Sequence, residues 1–154
     1  MTVQLNINGE ESELAVWPNE TLLAALRRYG YVEVKSGCEK GDCGACAVLV
    51  DGAAIDSCIT LAGTMTGRTV TTVAGLSAPE ELHPIHQAYI ECGASQCGYC
   101  TPGFVIATQS LLDEISNPND EDIRVGLSGN LCRCTGYVKI FDAVKQSAAT
   151  LNQD

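Results

Sequence analysis

Cys38-Glu39-Lys40-Gly41-Asp42-Cys43-Gly44-Ala45-Cys46 is the stretch on which the reading of this chain turns. Its three cysteines form a C-x4-C-x2-C run, and Cys58 follows after eleven intervening residues. A second group lies farther on with a different spacing: Cys97 and Cys100 in a C-x2-C, then Cys132 and Cys134 in a C-x-C. Eight of the nine cysteines thus fall into two groups of four.

Four thiolates are the ligand set of one [2Fe–2S] cluster, and the first spacing is that of plant-type ferredoxins. Glycines fit such a loop because they let the backbone curl with positive φ and turn its N–H groups toward sulfur. The competing reading of the first group is structural zinc, whose usual C-x2-4-C pairs do not produce a three-cysteine run. The second group, taken alone, fits zinc almost as well as iron.

The 154 residues suffice for one domain or for two of about 75 residues each, sizes at which a bound metal commonly supplements a thin core. Apolar residues make up 45% and charged residues 18%, and no apolar run approaches the roughly 20 residues of a membrane span. Met1-Thr2-Val3-Gln4-Leu5-Asn6 alternates like a strand and shows no basic n-region or apolar h-region. A cytoplasmic location is the resulting expectation, and there the cysteines read as metal ligands in preference to disulfides. The formal charge is −10, and two clusters, each a +2 core held by four thiolates, would add about −4. Such a chain suits a protein partner and not the phosphates of nucleic acid.

The first half reads as strands around one helix. Val3, Leu5 and Ile7 alternate with polar residues, Asn8-Gly9 signals a tight turn, and Leu14-Ala15-Val16-Trp17 is the expected return strand, with Trp17 in the core. An amphipathic helix carrying Leu22, Leu23 and Leu26 follows Pro18-Asn19 and stops at Gly30. Residues 47–55 form a second hairpin with an Asp-Gly turn, and Arg68-Thr69-Val70-Thr71-Thr72-Val73 is a last strand. The order β-β-α-β-β-β predicts a small mixed sheet gripping one helix. From Ala74 the pattern changes; Gly75 to Pro84 reads as a connection, and the periodicity beyond it is helical. Four helices are expected: Pro84 to Cys92, Pro102 to Ile115 with Thr101 as cap, Asp120 to Leu127 with an Asn119–Asp122 capping box, and Val138 to about Leu151. Phe104, Val105, Ala107, Thr108, Leu111, Leu112 and Ile115 supply one apolar face. The fold class is α+β, divided into residues 1–75 and 76–154.

The residues around the cysteines break the tie between zinc and iron. Cys38-Glu39-Lys40-Gly41-Asp42-Cys43-Gly44-Ala45-Cys46, Gln96-Cys97-Gly98-Tyr99-Cys100-Thr101-Pro102-Gly103 and Gly129-Asn130-Leu131-Cys132-Arg133-Cys134-Thr135-Gly136-Tyr137 occur in this order. Over nearly the whole chain the sequence resembles the small iron–sulfur subunit of the molybdenum hydroxylases, the xanthine oxidase/dehydrogenase family. The resemblance implies an N-terminal β-grasp ferredoxin-like domain and an all-α four-helix [2Fe–2S] domain. Cys38, Cys43, Cys46 and Cys58 would ligate one cluster, and Cys97, Cys100, Cys132 and Cys134 the other. It further implies a large subunit with a molybdenum–pterin cofactor that hydroxylates the substrate with oxygen from water. Electrons would then pass through the C-terminal cluster, the N-terminal cluster and onward to FAD on a medium subunit or to another acceptor. Gln96 and Cys134 would lie against the pterin, the Gln96 amide offering both a donor and an acceptor. The assembly would be a hetero-oligomer, a heterotrimer or its doubled form. The substrate belongs to the large subunit; purines, aldehydes, carbon monoxide, nicotinate and other N-heterocycles are all handled within the family.

Other residues receive no site role. Cys92 reads as a small buried side chain, and His83 and His86 as linker or helix-start residues without a third ligand. Lys40 and Arg133 adjoin cluster cysteines, where a positive charge raises a reduction potential, but both equally suit a solvated surface. No nucleophile–base pair, phosphate-binding glycine loop or HExxH is present, so this chain is an oxidoreductase subunit without a catalytic centre of its own. Two other classes stay open on the residues alone: a free-standing two-cluster electron carrier and a structural zinc protein.

Overall fold

Strand β1 (Thr2–Ile7) buries Val3, Leu5 and Ile7 and returns through Asn8 and Gly9, both at positive φ (54° and 88°), into β2 (Glu10–Ala15). Two consecutive left-handed residues match the twist of the paired strands, which makes Asn-Gly the natural turn here. The structure, a computed structural model, describes residues 1–153. Helix α1 (Leu22–Arg28) begins at Thr21, whose hydroxyl accepts from the Ala24 amide at 3.2 Å. Strands β3 (Ala47–Val50) and β4 (Ala53–Asp56) form the second hairpin around Asp51 and Gly52, again at positive φ. β5 (Thr69–Thr71) pairs parallel with β1 and antiparallel with β3, giving the sheet order β2-β1-β5-β3-β4. Leu22, Leu23, Ala25 and Leu26 of α1 close the core formed by Val3, Leu5, Ile7, Val48 and Val70.

Helices α2 (Pro84–Glu91), α3 (Thr101–Glu114), α4 (Asp120–Gly126) and α5 (Val138–Leu151) form the second half. Their core gathers Ile85, Tyr89, Phe104, Ile123, Ile140 and Val144. The reciprocal bonds of the Asn119–Asp122 capping box fix the start of α4. The two halves meet through the other face of β3: Val48 points to α1, whereas Ala47 and Leu49 pack on Ile106 of α3. The period of two along a strand makes both contacts possible.

Three expectations need correction. Trp17 is 71% exposed, because β2 ends at Ala15 and the alternation that turns Leu14 and Val16 inward sends Trp17 outward. Ile115 is 38% exposed: it caps α3 with extended backbone and so leaves the helix's apolar face. Thr101 is the first residue of α3 and not its cap; Cys100 takes that position, and the Thr101 hydroxyl donates to Ser95 Oγ. The histidines do stand at a helix start: His83 caps α2 through Nδ1, and His86 Nδ1 lies 2.7 Å from Ser77 Oγ. Cys92 is half-buried, its thiol donates to Gln146 Oε1 at 3.0 Å, and burial pushes its pKa up. No helix among the described residues is long and apolar enough to cross a membrane.

Candidate metal centres

The loop between α1 and β3 carries the first three cysteines. Glu39, Gly41 and Gly44 take positive φ, and the Asp42 amide donates to Cys38 Sγ at 3.2 Å. Backbone N–H groups from Lys40 and Asp42 hold the Cys38 thiol down to a pKa of about 7. On the sheet side, Cys46 and Cys58 are 2% and 6% exposed, and burial pushes Cys46 up to about 12. A Cβ at Gly37 would lie 2.7 Å from Cys43 Sγ, so only glycine leaves that sulfur its place.

The second group sits where the N-terminus of α3 meets the segment between α4 and α5. Burial raises Cys100 to about 12. Burial also acts to raise Cys132, but hydrogen bonds from the Thr135 side chain and backbone outweigh it and bring the thiol to about 7. Cys97 and Cys134 are exposed, as is Gln96 beside them, whereas in the first site Cys46 and Cys58 are buried and Cys38 and Cys43 half-buried.

Within each group the sulfurs lie close enough to act on one another's titration: Cys43 on Cys38, Cys58 on Cys46, Cys132 and Cys97 on Cys100, and Cys97 and Cys132 on Cys134. Among the described residues, no three His, Cys, Asp or Glu side chains are gathered as the shell of a single ion. Four thiols at each site suit a [2Fe–2S] cluster, whose two irons each take two protein ligands. The donor chemistry and the glycine-lined first loop fit such a group.

The two sites adjoin each other. A cavity of about 420 Å³ is lined by Cys38 and Cys43 from one and by Cys97, Cys100, Cys132 and Cys134 from the other. Three hydrogen bonds cross between their loops: the Leu131 amide to the Cys43 carbonyl at 3.0 Å, Asn130 Nδ2 to the Gly44 carbonyl at 3.2 Å, and the Tyr99 hydroxyl to the Ser36 carbonyl. A side chain on Gly103 would collide with the Gly44 carbonyl oxygen, so the start of α3 lies directly on the first loop. Asn130, Leu131, Tyr99 and Gly103 stand in the sequence motifs, yet their bridging role is absent from the sequence reading. A glycine in the first turn of a helix, where most residues would be more stable, was the available signal.

Comparison with known proteins agrees with this arrangement. Residues 5–69 match the family described as "2Fe-2S iron-sulfur cluster binding domain", and residues 72–145 match "[2Fe-2S] binding domain". The chain is 44% identical over 146 residues to the nicotinate dehydrogenase small FeS subunit of Eubacterium barkeri, covering 94% of this chain and 93% of that one. It is 44% identical to the xanthine dehydrogenase iron-sulfur-binding subunit of Escherichia coli O157:H7, with 94% and 92% covered. Among solved structures, quinoline 2-oxidoreductase from Pseudomonas putida 86 aligns with a TM-score of 0.95 and 40% identity, covering 99% of this chain and 96% of that one. The β-grasp half and the helical half are therefore two [2Fe–2S]-binding domains. Matches of this extent to small subunits make the chain a member of the small [2Fe–2S] subunits of the molybdenum hydroxylase (xanthine oxidase/dehydrogenase) family.

Proposed function

We propose that this chain conducts electrons from a molybdenum–pterin centre on a large subunit to FAD on a medium subunit or to another acceptor, entering at the helical domain and leaving from the β-grasp domain. Cys38, Cys43, Cys46 and Cys58 hold one [2Fe–2S] cluster, and Cys97, Cys100, Cys132 and Cys134 the other, with the domains dividing at 75/76. When bound, each cluster supplies one-electron redox chemistry with little rearrangement of its ligands. The observation that carries this reading is that cysteines of both groups line one cavity, Cys38 and Cys43 from the first and Cys97, Cys100, Cys132 and Cys134 from the second, with the second group the more exposed.

The residues of the chain do the positioning. Gln96, exposed before Cys97, and Cys134, exposed and close enough to Cys97 to be shifted by it, form the edge offered to the pterin. Tyr99 and Leu131, exposed at 49% and 54% and lining the same cavity as Cys97 and Cys134, add apolar surface beside this edge for the large subunit to cover. Burial of Cys46 and Cys58 keeps water from the inner pair of the first site. A hetero-oligomer in the cytoplasm, a heterotrimer or its doubled form, is the assembly this reading requires, and a reducing compartment keeps the thiols available.

The test is a Cys97→Ser substitution in the assembled enzyme. Substrate should no longer reduce the acceptor, while the first site retains its own [2Fe–2S] EPR signal. Intact turnover in this variant would overturn the reading.

A further inference from the structure

The turn after Cys134 builds a closed set of hydrogen bonds around one sulfur. Thr135 donates to Cys132 Sγ twice, through Oγ1 at 3.1 Å and through its backbone N–H at 3.4 Å. The same hydroxyl accepts from the Tyr137 amide at 3.3 Å, and the Tyr137 phenol accepts from the Cys132 amide at 3.0 Å. Tyr137 reaches this position from a left-handed backbone conformation at φ 70°, with its ring edge-on to Phe104, a fully buried core residue, at 6.2 Å between centroids. The Tyr137 amide occupies a lone pair of the Thr135 hydroxyl, which leaves the hydroxyl proton for the sulfur. Among the described residues, Cys132 is the cysteine whose sulfur receives a side-chain hydroxyl; Cys38 receives a backbone amide.

We propose that Thr135 is a positioning residue that raises the reduction potential of the helical-domain centre, independently of the first, by donating its hydroxyl hydrogen bond to Cys132 sulfur. One-electron reduction adds one negative charge to the centre, part of which resides on the thiolate sulfurs. A hydrogen bond to a sulfur strengthens as that sulfur becomes more negative, so it favours the reduced form. The electron comes from the molybdenum subunit and leaves for the first site, so a higher potential here eases the first transfer. The inference rests on the proposed role of Cys132 as a cluster ligand.

The experiment is an EPR-monitored redox titration of the assembled complex carrying Thr135→Val or Thr135→Ser. Thr135→Val keeps the shape and removes the hydroxyl. Its helical-domain signal should titrate about tenfold less favourably, a shift of about 59 mV to lower potential for one electron. The other signal should stay at its wild-type potential, and Thr135→Ser should restore the first. An unchanged potential in Thr135→Val, or equal shifts of both signals, would overturn the proposal. Loss of half the iron in Thr135→Val but not in Thr135→Ser would also overturn it, leaving the hydroxyl a structural role only. Iron in the wild-type complex separates the two readings: about four irons per chain with an unmoved potential removes this inference alone, whereas fewer removes the ligand assignment itself.

Discussion

The backbone amide of Leu131 donates to the carbonyl of Cys43 at 3.0 Å, joining the residue before Cys132 to a cysteine of the other site. It is one of three hydrogen bonds that cross between the loops of the two domains, with those of Asn130 and Tyr99. Leu131→Pro removes the donor, whereas Leu131→Ala keeps it. The lost bond should cost about 1 kcal/mol of stability. Freeze-quench EPR of the complex should show slower equilibration between the two centres in Leu131→Pro and wild-type behaviour in Leu131→Ala. Equal rates in both would deny the contact a part in transfer.

Gly103 has no room for a Cβ, because Gly44 of the first loop lies against it with its carbonyl. Neither partner is the end of a flexible side chain, so backbone must move. Gly103→Ala should destabilise the chain by about 3 kcal/mol in chemical denaturation, the upper end of the usual cost of overpacking. A change below about 0.5 kcal/mol would mean that the two domains separate here at little cost.

Asn119 accepts from the Glu121 and Asp122 amides, while Asp122 accepts from the Asn119 amide. Asn119→Ala should cost about 1 kcal/mol, the typical value of a lost cap. The residue is remote from the cysteines in the chain, so iron content should stay at the wild-type level, as measured by metal analysis of the same preparation.

Trp17 is the chain's lone tryptophan and is 71% exposed. Trp17→Ala should change stability by no more than about 0.5 kcal/mol, as is usual at the surface. The free chain should also show the red-shifted tryptophan emission of a hydrated indole. A loss of 3 kcal/mol or more on substitution, as from a core aromatic, would contradict the exposed placement.

Local signals carried most of what the sequence could tell. Asn8-Gly9 and Asp51-Gly52 announced their turns because few other residues tolerate paired positive φ, and Asn119 with Asp122 announced a helix start because the capping groups lie three residues apart. The C-x4-C-x2-C, C-x2-C and C-x-C runs stand out for the same reason, each lying within a few residues of chain. Trp17 turns outward because the alternation that buries Leu14 and Val16 decides its side, whatever the size of its ring. The bridges made by Tyr99, Leu131 and Asn130 span 63 to 88 residues and depend on how the two domains meet, which no local pattern encodes. Thr135 and Tyr137 lie within a cysteine motif, but the hydroxyl geometry that gives them a part in the site exists only after the turn at Gly136 has formed.

Whether eight cysteines hold two [2Fe–2S] clusters in a chain that serves a molybdenum subunit is read from the content of iron, acid-labile sulfide, molybdenum and zinc in the complex isolated from its native host through a tag on this chain. About four irons and about four sulfides per chain are expected, with molybdenum present in the same complex. Zinc without labile sulfide would contradict the cluster assignment, and iron with sulfide but no molybdenum or large subunit would contradict the role in a hydroxylase.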